Sequence, residues 1–407
     1  MKNFIFEGKL KSLGLFLIAF IFAIGIFLLA DRLYSNYLIN IKYQATTDNC
    51  TMLHEKRHHA FRPYCAGRNL WGKLAYKVYT NNLGLRDARI RDVPLISTHP
   101  RVLFLGDSFT DGSNVWEKTF VGRTAAAFPQ YEFLNGGIGS YSPSNYYLLA
   151  KELLKKGIQI DEVIVFVDIS DIQDESSYYV DASDHSVASR EERHHYPSFY
   201  EKIRQQIKMR WVLTNRLVSA IERICVELGW FHLSNEDAAG NIFDISRSAW
   251  TYRTDKLDDV SMPDGYAPLG VEGGIVRAKQ KMDQLYHLLK AHGIPISIGV
   301  YPWPAQLVHD KEDSRQVQIW QEWCAGKCKR FINTYPKFFE AKKSCSWYAP
   351  GCWYSKYYIF GDGHFKPRGD KLVSDAIAES LRVLPVIKLD AYEEASPSNS
   401  NLAKLLQ

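Results

Sequence analysis

The sequence lacks the glycine-rich loops by which many proteins bind nucleotides. Its densest glycine segment, 135–140, has neither the spacing nor the acidic partner of a dinucleotide-binding motif, and no phosphate-binding loop occurs elsewhere. We therefore expect no organic cofactor. A basic stripe with interleaved aromatic residues is also missing, because the net charge of +5 is spread over 407 residues. This distribution argues against nucleic-acid binding.

The histidines lack the spacing of metal ligands. Two adjacent pairs stand out, His58-His59 and His194-His195. Neighbouring residues do not share one face of a helix or a strand, and no carboxylate at a suitable spacing completes a ligand set. We interpret both pairs as surface histidines and expect no metal cofactor.

One long segment has no charge at all. Residues 12–30 form an apolar run between Lys11 and Asp31. Its length matches the roughly 20 residues needed to cross a bilayer and exceeds the roughly 7 to 15 of a signal-peptide core. We expect an uncleaved signal anchor, with a cleaved signal peptide ending near Ala30 as the alternative. The flanking cations favour a cytoplasmic N-terminus only slightly, with Lys2, Lys9 and Lys11 before the run against Arg32 and Lys42 after it.

The cysteines indicate the compartment. All seven lie outside the apolar run, at Cys50, Cys65, Cys225, Cys324, Cys328, Cys345 and Cys352. In an oxidising compartment we expect one disulfide between the first two and two more among the last four, whose connectivity the spacing leaves open. Cys225 would remain as a buried thiol, and a zinc site from the last four cysteines is the alternative. Disulfides suit a domain that follows a signal anchor, so we expect an inner-membrane protein with a periplasmic main domain.

A possible nucleophile follows the strand predicted over residues 101–105. This strand runs into a Gly-Asp-Ser turn that ends at Ser108, and Asp362 and His364 stand far along the chain, one glycine apart. A serine hydroxyl is a poor nucleophile until a base lies within hydrogen-bond reach and a third group orients that base. The spacing predicts a helix over residues 115–128. Strand, turn and helix together place the serine at the carboxyl end of a strand, where open α/β sheets bind ligands.

Two further predicted strands end in segments that could contribute to the same site. The strand over residues 131–135 breaks into a loop containing Gly137, and the strand over residues 162–168 runs into a segment containing Ser170. Glycine lets the backbone approach a ligand closely, and an exposed N–H group there could stabilise an oxyanion. We expect the three strand ends to converge on one edge of the sheet.

These segments resemble the motif blocks of the SGNH/GDSL hydrolase superfamily. The Gly-Asp-Ser turn is similar to its first block, Asn-Gly-Gly at 135–137 to its second, and residues 362–369 to its last. The resemblance spans about residues 101–381. It implies an α/β fold, namely a flavodoxin-like three-layer αβα sandwich with a parallel sheet, here preceded by one transmembrane helix. The alternation of predicted strands and helices agrees with this fold.

The resemblance also implies roles for individual residues. Ser108 would be the nucleophile, His364 the general base and Asp362 its orienting partner. The backbone N–H groups of Ser108 and Gly137 would hold the oxyanion.

The chain departs from the family pattern in two places. Where the third block offers an asparagine that donates to the oxyanion, this chain has Ser170, whose hydroxyl is a weaker candidate donor. Losing one oxyanion donor typically lowers turnover about 100- to 1000-fold. The second departure is the single residue between Asp362 and His364, since many members have two. A similar Asp-x-His occurs in alginate O-acetyltransferase-like relatives. This spacing therefore modestly favours O-acyl transfer over hydrolysis as the reaction that the resemblance implies.

The predicted organisation has one catalytic domain. We expect a cytoplasmic N-terminus and anchor over 1–32, an extension packing on the core over 33–100, the catalytic domain over 101–385 with a helical insertion at about 174–268, and a C-terminal tail over 386–407. In the insertion, apolar residues recur at helical intervals from Ile203 to Leu228 among lysines and arginines. Such a helix could lie on a membrane surface, cover the active site or pack on the core.

The expected function is that of a serine esterase or O-acyltransferase acting on ester-linked acyl groups of an extracytoplasmic carbohydrate or cell-envelope polymer. Tyr141, Tyr301 and Trp303 could stack on sugar rings, although protein cores use such residues as well. Arg86 could meet an anionic substrate group, but a structural ion pair is the stronger expectation. The alternative function is a catalytically weak polysaccharide-binding or assembly factor that keeps the fold.

Overall fold

The computed structural model describes residues 2–47, 50–71, 74–181, 186–189, 211–230, 245–252, 265–359 and 362–383. The strands in these ranges are β1 (Thr51–His54), β2 (His58–Phe61), β3 (Ala66–Trp71), β4 (Leu74–Thr80), β5 (Arg86–Asp87), β6 (Arg101–Leu105), β7 (Glu132–Asn135), β8 (Glu162–Val167), β9 (Tyr179–Asp181), β10 (Val187–Ser189), β11 (Ile296–Val300) and β12 (Cys328–Asn333). Eight of them form one sheet in the order β12-β11-β8-β6-β7-β5-β4-β3. Two separate hairpins consist of β1 with β2 and of β9 with β10.

The five strands from β12 to β7 are parallel. Taken in chain order from β6, their positions read 2-1-3-4-5 across the sheet, which is the flavodoxin-like order. The predicted α/β fold with a parallel sheet is therefore confirmed. The sheet order reverses between β6 and β8, and in such sheets ligands bind beyond the carboxyl ends of the strands at this point.

Helices surround the sheet. They are α1 (Lys2–Thr47), α2 (Ser108–Asp111), α3 (Phe120–Ala127), α4 (Pro143–Lys155), α5 (Ile169–Gln173), α6 (Val212–Glu227), α7 (Ile245–Ser248), α8 (Gly270–Ala291), α9 (Pro304–His309), α10 (Arg315–Cys324), α11 (Tyr335–Lys343), α12 (Cys352–Tyr357) and α13 (Pro367–Val383). Every residue of β6, β8 and β11 is buried. Uniformly buried strands are typical of parallel sheets that are covered by helices on both faces.

The segment before the parallel strands contributes directly to the sheet. Strands β3, β4 and β5 continue it as antiparallel neighbours, and β5 pairs with β7. The predicted helix over residues 115–128 is divided into a 3₁₀ turn at Trp116–Lys118 and helix α3. The division falls at Thr119, because its side chain caps α3 by accepting a hydrogen bond from the N–H of Gly122.

Helix α1 extends well past the uncharged run, to Thr47. Its stretch Gly14–Tyr37 is long and apolar enough to cross a membrane. In the insertion, α6 supplies the amphipathic helix that the spacing predicts. Ile203, His194-His195 and the tail at 386–407 lie outside the described residues.

The cysteines form three disulfides: Cys50–Cys65, Cys324–Cys328 and Cys345–Cys352. The expected first pair is found, and the last four cysteines pair with their sequence neighbours. Because all four are oxidised, the alternative of a zinc site is wrong. Cys225 is a free thiol, but it is half-buried and not buried as expected, since α6 lies at the surface of the domain.

Candidate active site

Ser108 is the first residue of α2, directly after the turn that follows β6. Asp107 caps this short helix by accepting a hydrogen bond from the N–H of Phe109 at 2.9 Å. N–H groups in the first turn of a helix have no partner within the helix. The cap therefore fixes the turn and leaves the half-buried serine at the carboxyl end of β6, beside the point where the sheet order reverses.

The hydroxyl of Ser108 contacts His364 across the site. The distance from Ser108 Oγ to His364 Nε2 is 2.7 Å, although 256 positions separate the two residues. On the other side of the ring, His364 Nδ1 lies 2.5 Å from Asp362 Oδ1. Nδ1–H can donate to this carboxylate, which leaves the lone pair of Nε2 facing the serine hydroxyl. The structure thus brings the three residues together in the order nucleophile, base and orienting carboxylate.

The loop that carries His364 is fixed by its backbone. Gly363 has φ of +90°, a conformation that L side chains rarely adopt. This glycine lets the chain reverse so that Asp362 and His364, two positions apart, can meet through their side chains. The carbonyl of His364 accepts from the N–H of Ile359 at 2.7 Å, and Ser113 Oγ donates to the carbonyl of Phe365 at 3.0 Å.

The imidazole also packs against the helix that carries the nucleophile. The rings of Phe109 and His364 are stacked, with centroids 4.4 Å apart. Asp111, in the same helix, is buried and accepts from Arg86 at 3.0 Å. Burial raises the pKa of Asp111 to about 6, while the charge of Arg86 opposes this rise. Arg86 is itself buried and donates hydrogen bonds to backbone carbonyls of this turn. It is therefore a structural ion-pair partner, as expected from the sequence.

The oxyanion assignment from the sequence does not fit the geometry at Gly137. Its N–H donates to the side-chain oxygen of Asn135 at 2.9 Å, so this donor is already occupied. A Cβ atom at Gly137 would lie 2.3 Å from the backbone nitrogen of Asp111. This glycine therefore permits close packing of its loop on α2.

Gly139, two residues further on, is the glycine next to the nucleophile. A Cβ atom there would lie 3.7 Å from Cβ of Ser108. Within the described residues, the N–H of Gly139 donates to no acceptor. Gly139 therefore lies beside the nucleophile, with an N–H group that no acceptor among the described residues occupies.

Ser170 lies near the site, but its hydroxyl is engaged elsewhere. Ser170 Oγ donates to Asp168 Oδ1 at 2.6 Å. Asp168 caps α5, accepting also from the backbone N–H of Ser170. The short side chain thus serves the helix cap, and its predicted role as an oxyanion donor stays a prediction.

Three buried carboxylates behind the nucleophile were not predicted from the sequence. Oxygen atoms of Asp107, Asp168 and Asp171 lie within 4.8 Å of one another. Burial, and then the nearby charge of Asp168, raise the pKa values of Asp107 and Asp171 well above their usual range. Burial thus disfavours the charged form of both side chains. Their positions just after two predicted strands were visible in the sequence, but their proximity depends on β6 and β8 being neighbours.

The predicted sugar-stacking role of the aromatic residues is wrong in this structure. Tyr141 and Tyr301 are fully buried, and Trp303 is nearly so. Tyr301 donates to Asp107 at 3.1 Å, and Trp303 Nε1 donates to Asp168 at 2.9 Å. An aromatic ring with one polar group satisfies a buried acceptor while it fills space, so Tyr301 and Trp303 support the carboxylates from the core, whereas Tyr141 donates to the carbonyl of His59.

The hairpin of β1 and β2 brings another unpredicted residue to the site. His59 Nε2 lies 2.7 Å from the carbonyl oxygen of Gly139. His59 is half-buried, and His58 Nδ1 lies 3.0 Å from its Nδ1. The expectation of two surface histidines is therefore wrong for this pair. No spacing rule could have found the contact, because it joins residues 80 positions apart.

Several solved structures are similar to the chain. A member of the lipolytic G-D-S-L family from Veillonella parvula DSM 2008 is 12% identical, with 70% of this chain and 99% of that chain covered and a TM-score of 0.35. A GDSL-like lipase from Bacteroides thetaiotaomicron VPI-5482 is 12% identical, covering 72% and 93% with a TM-score of 0.33. The esterase EstA from Pseudoalteromonas sp. is 8% identical, covering 70% and 97% with a TM-score of 0.33. No protein-family model and no curated protein matches the sequence.

The geometry of the chain positions its own motif blocks. That geometry places the first motif block after β6, the second after β7 and the last in the loop before α13. The structure thus brings together the segments that resemble the motif blocks of the SGNH/GDSL hydrolases.

Proposed function

We propose that this chain is a serine esterase or O-acyltransferase that acts on ester-linked acyl groups of an extracytoplasmic carbohydrate or cell-envelope polymer. The observation that carries the proposal is the 2.7 Å contact between Ser108 Oγ and His364 Nε2. This distance lies within the range over which a base removes a proton from a nucleophile. Asp362 completes the arrangement by holding the opposite ring nitrogen.

The first chemical step forms an acyl-enzyme. Ser108 Oγ bonds to the ester carbonyl carbon while its proton passes to His364 Nε2. The tetrahedral intermediate collapses when the ester C–O bond breaks, and the imidazolium returns the proton to the departing alcohol. Asp362 stabilises the imidazolium in between. The N–H of Ser108, joined by that of Gly139, is the candidate donor to the oxyanion.

The second step transfers the acyl group to an acceptor. A water molecule or a sugar hydroxyl attacks the acyl-enzyme carbonyl carbon and gives its proton to His364. The bond to Ser108 Oγ breaks, and the serine takes the proton back. Water yields a free acid, whereas a hydroxyl yields a new ester, so the same residues serve both reactions.

Covalent labelling tests the nucleophile. The full-length protein is incubated with a fluorophosphonate, which reacts with activated serines, and the modified residue is identified by mass spectrometry. We expect one label on Ser108, no label in Ser108→Ala and a severalfold slower reaction in His364→Ala. His292→Ala, at an exposed histidine, is the matched control and should label at the wild-type rate. Labelling of Ser108 at an unchanged rate in His364→Ala would contradict the proposed base.

A second experiment separates hydrolysis from transfer. The protein is supplied with an activated acetyl ester, with and without oligosaccharide, and the products are separated by mass. Acetylated oligosaccharide that requires Ser108 supports the transferase. Free acetate as the sole product under both conditions supports the esterase.

The location in the cell is part of the same proposal. The apolar stretch Gly14–Tyr37 supports a single-pass anchor in the cytoplasmic membrane. Three disulfides support a catalytic domain in an oxidising compartment such as the periplasm. Free thiols are blocked in intact cells, and the disulfides are then reduced and labelled for detection by mass; this tests the compartment, since a cytoplasmic domain would have reduced cysteines.

A catalytically weak polysaccharide-binding or assembly factor is the second candidate. Ser170 Oγ donates to Asp168 and the Gly137 N–H donates to Asn135, so two of the three predicted oxyanion donors are occupied, which favours this candidate. Its test is the replacement of the wild-type protein by Ser108→Ala in cells. Unchanged cellular function would favour the binding factor, and loss of function with preserved thermal stability would favour the enzyme.

A further inference from the structure

Helix α6 presents an apolar stripe on its outer face. Leu217, Ile221 and Ile224 are spaced by four and three residues, which places them on one side of a helix. Each side chain is about half exposed, at 53%, 53% and 51%. Isolated exposed apolar residues are ordinary, whereas a contiguous apolar row indicates a contact surface.

Exposed aromatic side chains lie in the segments at the far end of α6. Trp230, Trp347 and Tyr348 are 74%, 90% and 62% exposed. The two segments that carry them are neighbours, because a Cβ atom at Gly229 would lie 3.0 Å from the ring of Pro350. Tryptophan and tyrosine are enriched where a protein meets the headgroup region of a bilayer.

The beginning of α6 is attached to helix α1, the proposed anchor. The carboxylate of Asp31 accepts hydrogen bonds from the N–H groups of Leu213 at 2.7 Å and Thr214 at 2.8 Å. Ser35 Oγ accepts from the N–H of Val212 at 2.8 Å. Asp31 and Ser35 are both buried. Side chains of α1 thus cap α6, as an N-cap residue usually does from within its own helix.

This attachment fixes where α6 lies along the anchor. Asp31 is the first charged residue after the uncharged run, so it marks one end of the most apolar part of α1. The charges of α6 do not favour a charged partner, because its two arginines are balanced by two glutamates. Continuity with the anchor and the aromatic residues both point to lipid as the occupant.

We propose that the stripe of Leu217, Ile221 and Ile224, together with Trp230, Trp347 and Tyr348, rests on the headgroup region of the bilayer that α1 crosses. The inference depends on the proposed anchoring of α1. It adds a second, peripheral attachment that sets the orientation of the catalytic domain.

The orientation matters because the far end of α6 contacts the segment that leads to the catalytic base. The carbonyl of Glu227 accepts from the N–H of Gly351 at 3.3 Å, and its carboxylate accepts from Ser355 Oγ. Lys366, two residues after His364, donates to the carbonyl of Ser355 at 2.5 Å. The membrane surface and the catalytic loop are thus joined through one helix.

Site-directed spin labelling tests the proposal on the full-length protein in phosphatidylcholine nanodiscs. Single cysteines replace Leu217, Ile221 or Ile224 in a Cys225→Ser background, and mass spectrometry verifies that the three disulfides remain. Accessibility to oxygen, which concentrates in lipid, is compared with accessibility to a water-soluble nickel chelate. Val276→Cys, at a 54% exposed apolar residue of α8, is the matched control, and Ile24→Cys reports on α1.

We expect the ratio of oxygen to nickel accessibility at the three α6 positions to be severalfold higher than at position 276. A ratio equal to that of position 276, with Ile24→Cys in lipid, overturns the proposed surface and leaves the anchor intact. Low accessibility to both reagents at all three positions also overturns it, because protein would then cover the stripe. A water-exposed label at position 24 overturns the anchor and the surface together.

A measurement on native residues guards against perturbation by the labels. Brominated phosphatidylcholine quenches tryptophan fluorescence at the membrane surface. We expect Trp347→Phe to lose a measurable part of this quenching, whereas Trp116→Phe, at a partly buried residue beside α3, should not. Equal quenching in the wild type and Trp347→Phe contradicts the proposed contact.

Discussion

The imidazole of His59 donates a hydrogen bond to the carbonyl of Gly139, at 2.7 Å, and thereby ties the β1–β2 hairpin to the loop beside the nucleophile. A carbonyl oxygen can only accept, so the proton resides on Nε2 of His59. In a neutral ring Nδ1 is then free to accept from His58, which lies 3.0 Å away. His59 is therefore a positioning residue for the loop.

Removing this hydrogen bond should slow catalysis more than it lowers stability. We expect His59→Leu to lower kcat for p-nitrophenyl acetate roughly tenfold to a hundredfold, because small misplacement of a catalytic group is costly. The stability loss should be near the roughly 1 kcal/mol of an ordinary hydrogen bond. His59→Gln can still donate and should restore most of kcat. Equal losses in both variants would show that the donor is not what matters.

Acidification should weaken the hairpin through the same histidine. Burial, and then the positive neighbours His58 and Arg57, lower the pKa of His59 below its usual value, although Gly139 opposes this shift. A lowered pKa means that the unfolded chain binds the proton more tightly, so stability falls as pH drops below about 6.5. We expect Tm to fall between pH 7.5 and pH 5.5 by more in the wild type than in His59→Gln.

The control for this pH effect is His99→Gln, at an exposed histidine. Its Tm should follow the wild-type profile. An identical pH profile for the wild type and His59→Gln would exclude His59 as the origin of the dependence.

The orienting carboxylate sets the tautomer of the base. With asparagine at position 362, the amide can donate to Nδ1, which would then place the ring proton on Nε2 facing Ser108. We expect Asp362→Asn to lower kcat by about 10⁴-fold, as wrong tautomers do in serine triads. Asp375→Asn, at a half-buried aspartate of α13 paired with Lys371, should leave kcat unchanged. A modest loss in Asp362→Asn would remove the assigned role.

The positive φ of Gly363 gives a prediction with a matched control. Gly363 and Gly293 have φ of +90° and +68°, and neither position would crowd a Cβ atom below 3.8 Å. Alanine should therefore cost about 1 to 2 kcal/mol of stability at either site. Only Gly363→Ala should also lower kcat, because it moves Asp362 relative to His364. Chemical denaturation and esterase kinetics on both variants check this, and equal kcat values would contradict it.

The two loop glycines should respond differently to alanine. At Gly137 a Cβ atom meets the backbone of α2, which cannot move aside, so Gly137→Ala should lower Tm strongly. At Gly139 the nearest atom is Cβ of Ser108 at 3.7 Å, an ordinary contact. Gly139→Ala should fold with nearly the wild-type Tm, and thermal unfolding of the two variants distinguishes them. A larger loss in Gly139→Ala would contradict the packing described here.

The sequence by itself determined the local features. Apolar runs specified the buried strands β6, β8 and β11, and the uncharged run specified the apolar part of α1. The Gly-Asp-Ser turn and the Asp-Gly-His segment carry their own side-chain chemistry, so Ser108, Asp362 and His364 could be chosen from residue types, order and family resemblance.

Tertiary structure decided which neighbours those features acquired. The cluster of three buried carboxylates joins two segments that are far apart in sequence. The same is true of the hydrogen bonds by which Tyr301 and Trp303 reach these carboxylates from the core, and of the contact of His59 with Gly139. Whether the N–H of Gly137 or of Gly139 remains available depends on one hydrogen bond that Gly137 donates to Asn135 and on the packing of a loop against α2. Spacing along the chain records neither, because close approach of distant segments follows from strand order and core packing.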